Sequence, residues 1–211
     1  MKIDLHIHTT AYSPCSTMSP DEMMTAAVQA GLDGVCVTEH NRIWKPSEAR
    51  VLAEKYGLTV FRGMEVTTTA GDVLVMGLEE EPRSLWTPEE LKERVDSAGG
   101  IAIAAHPFRG FLVFGFSTLR MDLNDALDNR LFANVHGMEV CNSLVTDDEN
   151  EFAGQVADAL GLAKVGGSDA HRPKSVGACV NVFEDWIRDE RDLIQAVLKG
   201  HFRVERRKYK G

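Results

Sequence analysis

The sequence predicts an α/β fold in which about seven strand–helix units form either a barrel or a wound sheet. Short apolar runs alternate with helix-like segments along the whole chain. The runs are apolar on nearly every residue, as expected of parallel strands that are covered on both faces. Because no linker, low-complexity tract or internal repeat interrupts this alternation, we expect one domain over residues 1–211.

Short apolar runs mark the candidate strands. They cover residues 2–6, 34–38, 59–62, 73–77, 101–105, 138–141 and 163–165, with candidate edge strands at 178–182 and 202–204. Residues 106–121 (HPFRGFLVFGFSTLRM) break the alternation, and their glycines and phenylalanines predict a long loop over one face. Active sites of α/β proteins lie beside such loops.

Helix start and stop signals lie between the runs. Residues 19–22 (SPDE) and 87–90 (TPEE) each combine a hydroxyl N-cap, a proline at the first position and a glutamate at the third, which is a capping box. Gly31, Gly57 and Gly99 are the expected C-caps. Further helices are predicted over residues 47–56, 122–132, 148–160 and 191–199.

Composition restricts the class of partner. The formal net charge is -9, and the basic run at residues 203–210 is a C-terminal tail, so long nucleic acids are not expected partners. The four cysteines form no C-x-x-C pair, which predicts reduced thiols. The start MKIDLHIH has no apolar signal segment, and no stretch is long enough to span a bilayer. We therefore expect a cytoplasmic protein without membrane contact; its oligomeric state is not predicted.

The histidines are concentrated at the predicted strand ends. His6, His40 and His106 close strands, His8 follows His6, and His171 follows the strand that ends at residue 165. In parallel α/β folds, the C-terminal strand ends form the rim where ligands bind and catalysis occurs. His136 and His201 lie elsewhere and are interpreted as ordinary histidines.

Two i, i+2 pairs suit metal coordination. In an extended chain, His6 and His8 project from one face, and Asp4 on that face could orient an imidazole. Asp169 and His171 form the second pair after Gly166-Gly167-Ser168, where glycines allow a sharp turn. Together with carboxylate and imidazole groups at other strand ends, these pairs predict a metal site.

The other candidate ligands close the second, third and fifth strands. His40 is the better ligand of Glu39-His40, and Glu39 either orients it or faces away. Glu65 can bridge two cations, whereas an imidazole cannot. Mixed histidine and carboxylate ligands favour zinc, iron or manganese. No nucleophile elbow, phosphate-binding glycine loop or dinucleotide fingerprint competes with this interpretation.

The order of the motifs resembles the PHP (polymerase and histidinol phosphatase) family. The matching segments are residues 4–8 (DLHIH), 38–41 (TEHN), 63–66 (GMEV), 105–107 (AHP) and 167–171 (GSDAH). The resemblance implies a distorted (βα)7 barrel with a trinuclear metal site at the C-terminal strand ends. It assigns the first ion to His6, His8, Glu65 and Asp169, the second to His40 and His171, and the third to Glu65 and His106.

Two positions depart from the family pattern. Cys15 stands where the family often has a carboxylate, and it is either a ligand of the second ion or an inert loop thiol. Asp72 stands where a histidine often binds the third ion, and it is either an oxygen ligand or a solvated turn residue. For the substrate, Arg109 and Arg172 follow ligand candidates and could clamp phosphate oxygens.

The resemblance implies a metal-dependent phosphoesterase that hydrolyses a phosphate ester of a small molecule or nucleotide. Two or three divalent ions would supply a bound hydroxide for the attack, with His6, His8, Glu65, Asp169 and His171 as the catalytic set. The alternatives are an exonuclease, a histidinol or tyrosine phosphatase of the same family, a carbon–nitrogen hydrolase, or a non-catalytic metal-binding domain.

Overall fold

The strands and helices follow the predicted alternation. In the computed structural model, residues 1–110 and 123–207 are described. In these ranges the strands are β1 (Lys2–Ile7), β2 (Gly34–His40), β3 (Thr59–Thr68), β4 (Gly71–Met76), β5 (Ile101–Ala104), β6 (Gly137–Asn142), β7 (Ala163–Gly167), β8 (Cys179–Phe183) and β9 (Phe202–Arg206). The helices are α1 (Pro20–Ala30), α2 (Pro46–Tyr56), α3 (Pro88–Ser97), α4 (Leu123–Leu127), α5 (Asp147–Leu160) and α6 (Glu190–Lys199).

Of three predicted segments, one is shorter in the structure and two lie partly outside the described residues. The helix predicted over residues 122–132 is shorter, because α4 ends at Leu127 and a 3₁₀ turn follows at Phe132–Asn134. The loop predicted over residues 106–121 lies outside the described residues from residue 111 onward, and so does the basic run from residue 208. Residues 106–110 form a turn at the rim.

Capping explains where the helices begin and end. Ser19 and Thr87 each accept a hydrogen bond from the backbone N–H of the glutamate three residues later, so both predicted capping boxes are confirmed. Gly31 and Gly57 end α1 and α2 with φ angles of 71° and 69°, which a glycine adopts without strain.

The described strands form one sheet in the order β7-β6-β5-β4-β3-β2-β1-β8-β9. β1, β2 and β3 are parallel, as are β5, β6 and β7, but β4 is antiparallel to both of its neighbours. The expectation of parallel pairing is therefore wrong for β4. Only Thr69 and Ala70 connect β3 to β4, and a parallel crossover needs a dozen or more residues.

The two halves of the sheet meet where β1 approaches the segment after β7. Ile7 and Ala170 form a parallel bridge, in which His8 N–H donates to Ala170 O at 3.0 Å and Ala170 N–H donates to His6 O at 3.2 Å. The Asn181 side chain on β8 bonds the Gly166 N–H and C=O. The sheet is thus nearly closed, and the fold is the distorted barrel that the sequence predicts.

Three apolar clusters hold this barrel together. One joins side chains from β1 to β5, β7, β8 and α6, and it fills the interior (Ile3, Leu5, Cys36, Phe61, Leu74, Met76, Ile101, Ile103, Val165, Phe183, Leu193, Val197). The second packs α1 and α2 on the outer face, and the third packs α3, α4 and α5 there. Strands covered on both faces explain the continuous apolar runs.

The prediction of four reduced cysteines is wrong for two of them. Cys141 in β6 and Cys179 in β8 are joined by a disulfide, with their Cα atoms 5.9 Å apart. They are 38 residues apart in sequence, so only the tertiary fold brings them together. Cys15 and Cys36 are the free thiols of the described chain. None of the described helices has the length and apolar character that a bilayer crossing requires.

Candidate metal centre

The predicted ligands converge at the rim formed by the strand ends. His6 lies near the end of β1, His40 ends β2, and His106 lies two residues beyond β5. Glu65 lies within β3, which is longer than predicted, but its register opposite His40 still places it at the rim. The bridge between Ile7 and Ala170 sets Asp169 and His171 beside His6 and His8.

A shift in register explains how β1 directs its histidines. The pairing of β1 with β2 shifts between Asp4 and Ile7. Leu5 packs in the barrel interior and Ile7 packs beneath α1, while His6 and His8 point together into the site. Strand irregularities of this kind commonly redirect side chains beside active sites.

Four candidate ligand atoms lie close to the His6 and His8 imidazoles or belong to them. The Nε2 atoms of His6 and His8 are 2.9 Å apart, and Asp169 Oδ1 lies 3.5 Å and 3.4 Å from them. Glu65 Oε2 lies 3.5 Å from His6 Nε2 and 3.2 Å from His8 Nε2. Atoms that each lie about 2.0–2.2 Å from a common ion have separations of this size.

Two further groups of ligand atoms adjoin the first. His8, His40 and His171 form one, with ring centroids 4.3 Å apart for His8 and His40 and 4.5 Å apart for His8 and His171. His6, Glu65 and His106 form the other, in which Glu65 Oε1 lies 2.8 Å from His106 Nε2. The two oxygens of Glu65 therefore face different groups.

The buried charges of the site fit a bound cation. Burial alone would raise the pKa of Glu65, but His6 and hydrogen bonds from His106 and His40 hold it well below its usual range. Burial would likewise raise the pKa of Asp169, but the neighbouring His6, His8 and Arg109 outweigh this effect and lower it. Burial lowers the pKa of His171, which favours the neutral imidazole that a metal needs.

An unpartnered oxygen supports this fit. Glu65 Oε2 is buried and its contacts do not reach hydrogen-bond geometry among the described residues, although His40 Nδ1 lies 3.0 Å and His8 Nε2 3.2 Å from it. A buried carboxylate oxygen without a donor is costly unless a cation neutralises it. The imidazoles around it supply nitrogen ligands, so the residues present fit a divalent ion.

Cys15 and Asp72, the two residues that depart from the family pattern, lie outside these groups of ligand atoms. Cys15 is exposed in the loop after β1 and belongs to none of the three groups of described residues. Partial burial and the charges of Glu65 and Asp169 raise its pKa, which favours the protonated thiol. Asp72 begins β4 opposite Thr67 and so lies at the rim, but its carboxylate is also outside the three groups.

The two predicted substrate arginines differ in position. The Arg109 guanidinium contacts Asp169 Oδ2 and lies 3.5 Å from Asn142 Oδ1, so it reaches the site. Gly110 N–H donates to Glu149 Oε1 at 3.0 Å, which attaches this turn to α5. Arg172 is exposed immediately after His171.

Two acidic residues accept hydrogen bonds from groups other than the imidazoles. The Asp4 carboxylate accepts from the backbone N–H groups of His6, Ser168 and Gly177. The expectation that Asp4 orients an imidazole is therefore wrong. Burial raises the pKa of Asp4 to about 6, although these donors oppose the shift. Glu39 faces away from the site.

Glu39 instead supports the loop after β1. Its carboxylate accepts from the Thr9 hydroxyl at 2.5 Å, the Thr9 N–H at 3.1 Å and Trp44 Nε1 at 3.0 Å. Of the two orientations left open by the sequence, the structure shows the one directed away from His40.

Sequence reasoning missed Glu139, which lies in β6 with its carboxylate fully buried. It contacts His6 Nδ1 at 2.9 Å and accepts from His106 N–H at 2.8 Å. The signal that could have found it is a single charged residue within an otherwise apolar strand. A charged side chain is rarely buried unless it has a partner, so its position indicates a contact within the fold.

Backbone strain is also concentrated at this rim. In the described ranges, the non-glycine residues with positive φ are Asn41 (54°), His106 (31°) and Asp169 (53°). Each directly follows or lies just beyond a strand end. Conformations of this kind cost free energy and cluster at functional sites, where surrounding contacts maintain them.

Comparison with known families agrees with this site. The PHP domain model matches residues 4–152, and a PHP-associated model matches residues 147–202. The chain belongs to the PHP family. The relative MJ1587, an uncharacterised protein from Methanocaldococcus jannaschii, is 33% identical over 159 residues, which are 70% of this chain and 85% of that protein.

Solved structures share the PHP fold. A protein from Bifidobacterium adolescentis, described as a candidate metal-dependent phosphoesterase, has a TM-score of 0.62 and 17% identity, covering 83% of this chain and 88% of its own. The lesion-specific endonuclease PfuEndoQ from Pyrococcus furiosus has a TM-score of 0.64 and 18% identity, covering 96% of this chain and 57% of its own. At these identities the likeness is one of fold.

Proposed function

We propose that this PHP protein is a metal-dependent phosphoesterase acting on a phosphate ester of a small molecule or nucleotide. One observation carries the proposal: ligand atoms of His6, His8 and Asp169 form one group, and Glu65 Oε2 lies 3.5 Å from His6 Nε2 and 3.2 Å from His8 Nε2. Two of the structural neighbours, named as a candidate phosphoesterase and an endonuclease, share phosphoester chemistry and support the choice of bond, although another is named as an amidohydrolase.

The ligand assignment follows the three groups. His6, His8, Glu65 and Asp169 would hold the first ion, His40 and His171 the second, and Glu65 and His106 the third. Cys15 and Asp72 are proposed as additional ligands of the second and third ions, respectively, reached by movement of their side chains. When bound, two or three ions of zinc, iron or manganese would polarise a phosphoester and lower the pKa of a water molecule.

The protein's own groups would bind and orient the phosphate. Arg109 is the better placed arginine, because its guanidinium already contacts a carboxylate at the site and could exchange that partner for phosphate oxygens. Arg172, exposed beside His171, is proposed as the second phosphate-binding arginine. The net charge of -9 favours a small substrate over long nucleic acid.

The test combines metal analysis with a substrate panel. Protein expressed with zinc, iron or manganese should retain two or three equivalents of metal and release phosphate from monoesters or small diesters. His8→Gln and Asp169→Asn should each lower kcat/KM by at least about 10²-fold, because each removes a ligand of the first ion.

A matched variant controls for the loss of a histidine. His136 lies at the other end of the barrel, before β6, and His136→Gln should leave the rate unchanged. Hydrolysis of DNA alone would favour the nuclease alternative, and hydrolysis of amides alone a carbon–nitrogen hydrolase. A folded wild-type protein that retains no metal would overturn the proposal in favour of a non-catalytic domain.

A further inference from the structure

Glu139 contacts two candidate metal ligands, His6 and His106. Its Oε1 lies 2.9 Å from His6 Nδ1, while Oε2 accepts from the His106 backbone N–H at 2.8 Å and from Asn142 Nδ2 at 2.9 Å. We propose that Glu139 is a positioning residue that fixes the metal-binding tautomer of His6 and the strained backbone of His106. This inference rests on the proposed metal site and extends it.

The chemistry of a carboxylate determines the tautomer of His6. A carboxylate accepts hydrogen bonds and donates none, so His6 must carry its proton on Nδ1. The lone pair of Nε2 then points at the cluster, where His8 Nε2, Glu65 Oε2 and Asp169 Oδ1 lie 2.9 Å, 3.5 Å and 3.5 Å away. Partners of this kind orient metal-binding imidazoles and raise their basicity.

The same carboxylate stabilises His106. With a φ of 31°, the His106 backbone is in a region that non-glycine residues rarely adopt. Its N–H donates to Glu139 Oε2, and its Nε2 lies 2.8 Å from Glu65 Oε1. Glu139 thus holds the backbone on one side of His106 while the imidazole faces the ligand group.

Gly167 provides the space that this arrangement needs. A Cβ atom on Gly167 would overlap Glu139 Oε1 and would lie 2.5 Å from His6 Cβ. Its φ is not in the left-handed region, so the requirement is for space and not for backbone conformation. A side chain at this position would therefore displace the carboxylate, the imidazole or both.

Glu139→Gln tests the tautomer without changing size. The amide oxygen should face the two donors, His106 N–H and Asn142 Nδ2, which leaves the amide NH2 against His6 Nδ1. His6 must then accept through Nδ1 and carry its proton on Nε2, where it blocks metal binding. We expect zinc affinity, measured by competition with a chromogenic chelator, to fall about 10- to 100-fold.

Glu39→Gln is the matched control. Glu39 is also a buried carboxylate near the rim with three donors, but they belong to Thr9 and Trp44 and not to a ligand candidate. Its replacement should change zinc affinity by less than about 3-fold, even if both glutamine variants lose thermal stability. Circular dichroism of the metal-free proteins establishes that both are folded.

A spectroscopic measurement separates positioning from general stability. In zinc-loaded protein with 15N-labelled histidine, the wild type should show a hydrogen-bonded Nδ1 proton for His6, and Glu139→Gln should lack it. If Glu139→Gln does not fold, Gly167→Ala disturbs the contact between the Glu139 carboxylate and His6 by displacing one or both, and it should weaken zinc binding and remove the Nδ1 proton signal. Gly154→Ala, where an added Cβ meets nothing within 4 Å, is its control.

The outcomes distinguish this inference from the proposed function. Glu139→Gln binding zinc within about 2-fold of wild type, with the Nδ1 proton retained, would overturn the role of Glu139 alone. Equal loss of affinity in Glu39→Gln would also overturn it, because a general effect of buried carboxylates would then suffice. A wild type that binds no metal would overturn both.

Discussion

Single buried carboxylates connect segments of this barrel that are distant in sequence. Asp4 on β1 accepts from Ser168 N–H at 3.0 Å and from Gly177 N–H at 2.9 Å, although these residues are 164 and 173 positions away. Ser168 directly precedes the ligand candidate Asp169. The position of that ligand therefore depends on a residue that does not itself face the cluster.

Asp4→Asn should destabilise the fold. The amide NH2 would face at least one of the backbone N–H donors, and a buried donor left without an acceptor costs about 1–3 kcal/mol. Denaturant unfolding measures the loss. Asp33→Asn is the control, because Asp33 accepts one exposed N–H, from Lys2, and should change stability by less than about 0.5 kcal/mol. Equal losses in the two variants would contradict the role given to Asp4.

His136 should make stability depend on pH. Burial and the Lys92 ammonium lower its pKa below 6.5, and its Nδ1 accepts from Ala102 N–H at 3.1 Å. The unfolded chain therefore binds the proton first, so the free energy of unfolding should fall as pH drops below about 6.5. His136→Gln should show a shallower decline than the wild type between pH 7 and pH 5, measured by urea unfolding. Identical slopes would rule out this contribution.

At the scale of elements, the sequence predicted the order of strands and helices but not the direction in which every strand pairs with its neighbours. Apolar runs and capping signals placed β1, β2, the start of β3 and α1 to α3 within a few residues, because burial and caps are local properties of the chain. β3 continues six residues beyond its predicted end at residue 62. The direction of β4 was missed, since an apolar run reads the same in parallel and antiparallel pairing. The disulfide was missed because Cys141 and Cys179 meet only in the fold.

Reduction of the Cys141–Cys179 disulfide should weaken the link between β6 and β8. The bond closes a loop with a sequence separation of 38, for which a loss of about 2–4 kcal/mol in unfolding free energy is expected. Unfolding with and without a phosphine reductant measures this difference, and Cys141→Ser/Cys179→Ser should show none. Intact mass should reveal two hydrogens fewer than in the reduced chain. Four reactive thiols in the unreduced, denatured protein would contradict the pairing.

At the scale of the whole molecule, metal binding and folding should be coupled. The proposed ligands come from β1, β2, β3 and the segments after β5 and β7, so they assemble only in the folded barrel. Zinc at about 100 times its Kd should stabilise the protein by about 2.7 kcal/mol and raise Tm by roughly 5–10 °C. His136→Gln should keep this shift, whereas His8→Gln should lose it. An unchanged Tm in the wild type would contradict the coupling.

The candidate site was more predictable than the contacts that support it. The ligand candidates His6, His8, Glu65, His106 and Asp169 follow from residue type and strand ends, which sequence displays directly. Glu139, Asn142 and the backbone role of Asp4 depend on which side chains meet across the barrel. Periodicity does not specify such contacts, because they depend on the tertiary fold, as in the pair of His6 and Glu139 with its separation of 133.

The bridge between Ile7 and Ala170 has a consequence for biosynthesis. A ribosome delivers His6 and His8 before Asp169, which follows His6 by 163 residues and so by roughly 8–33 s at typical elongation rates. Throughout that interval the nascent chain exposes a histidine pair without the carboxylate that completes the group. Metal capture at full affinity therefore waits until Asp169 has been synthesised, and any earlier loading has to be reversible.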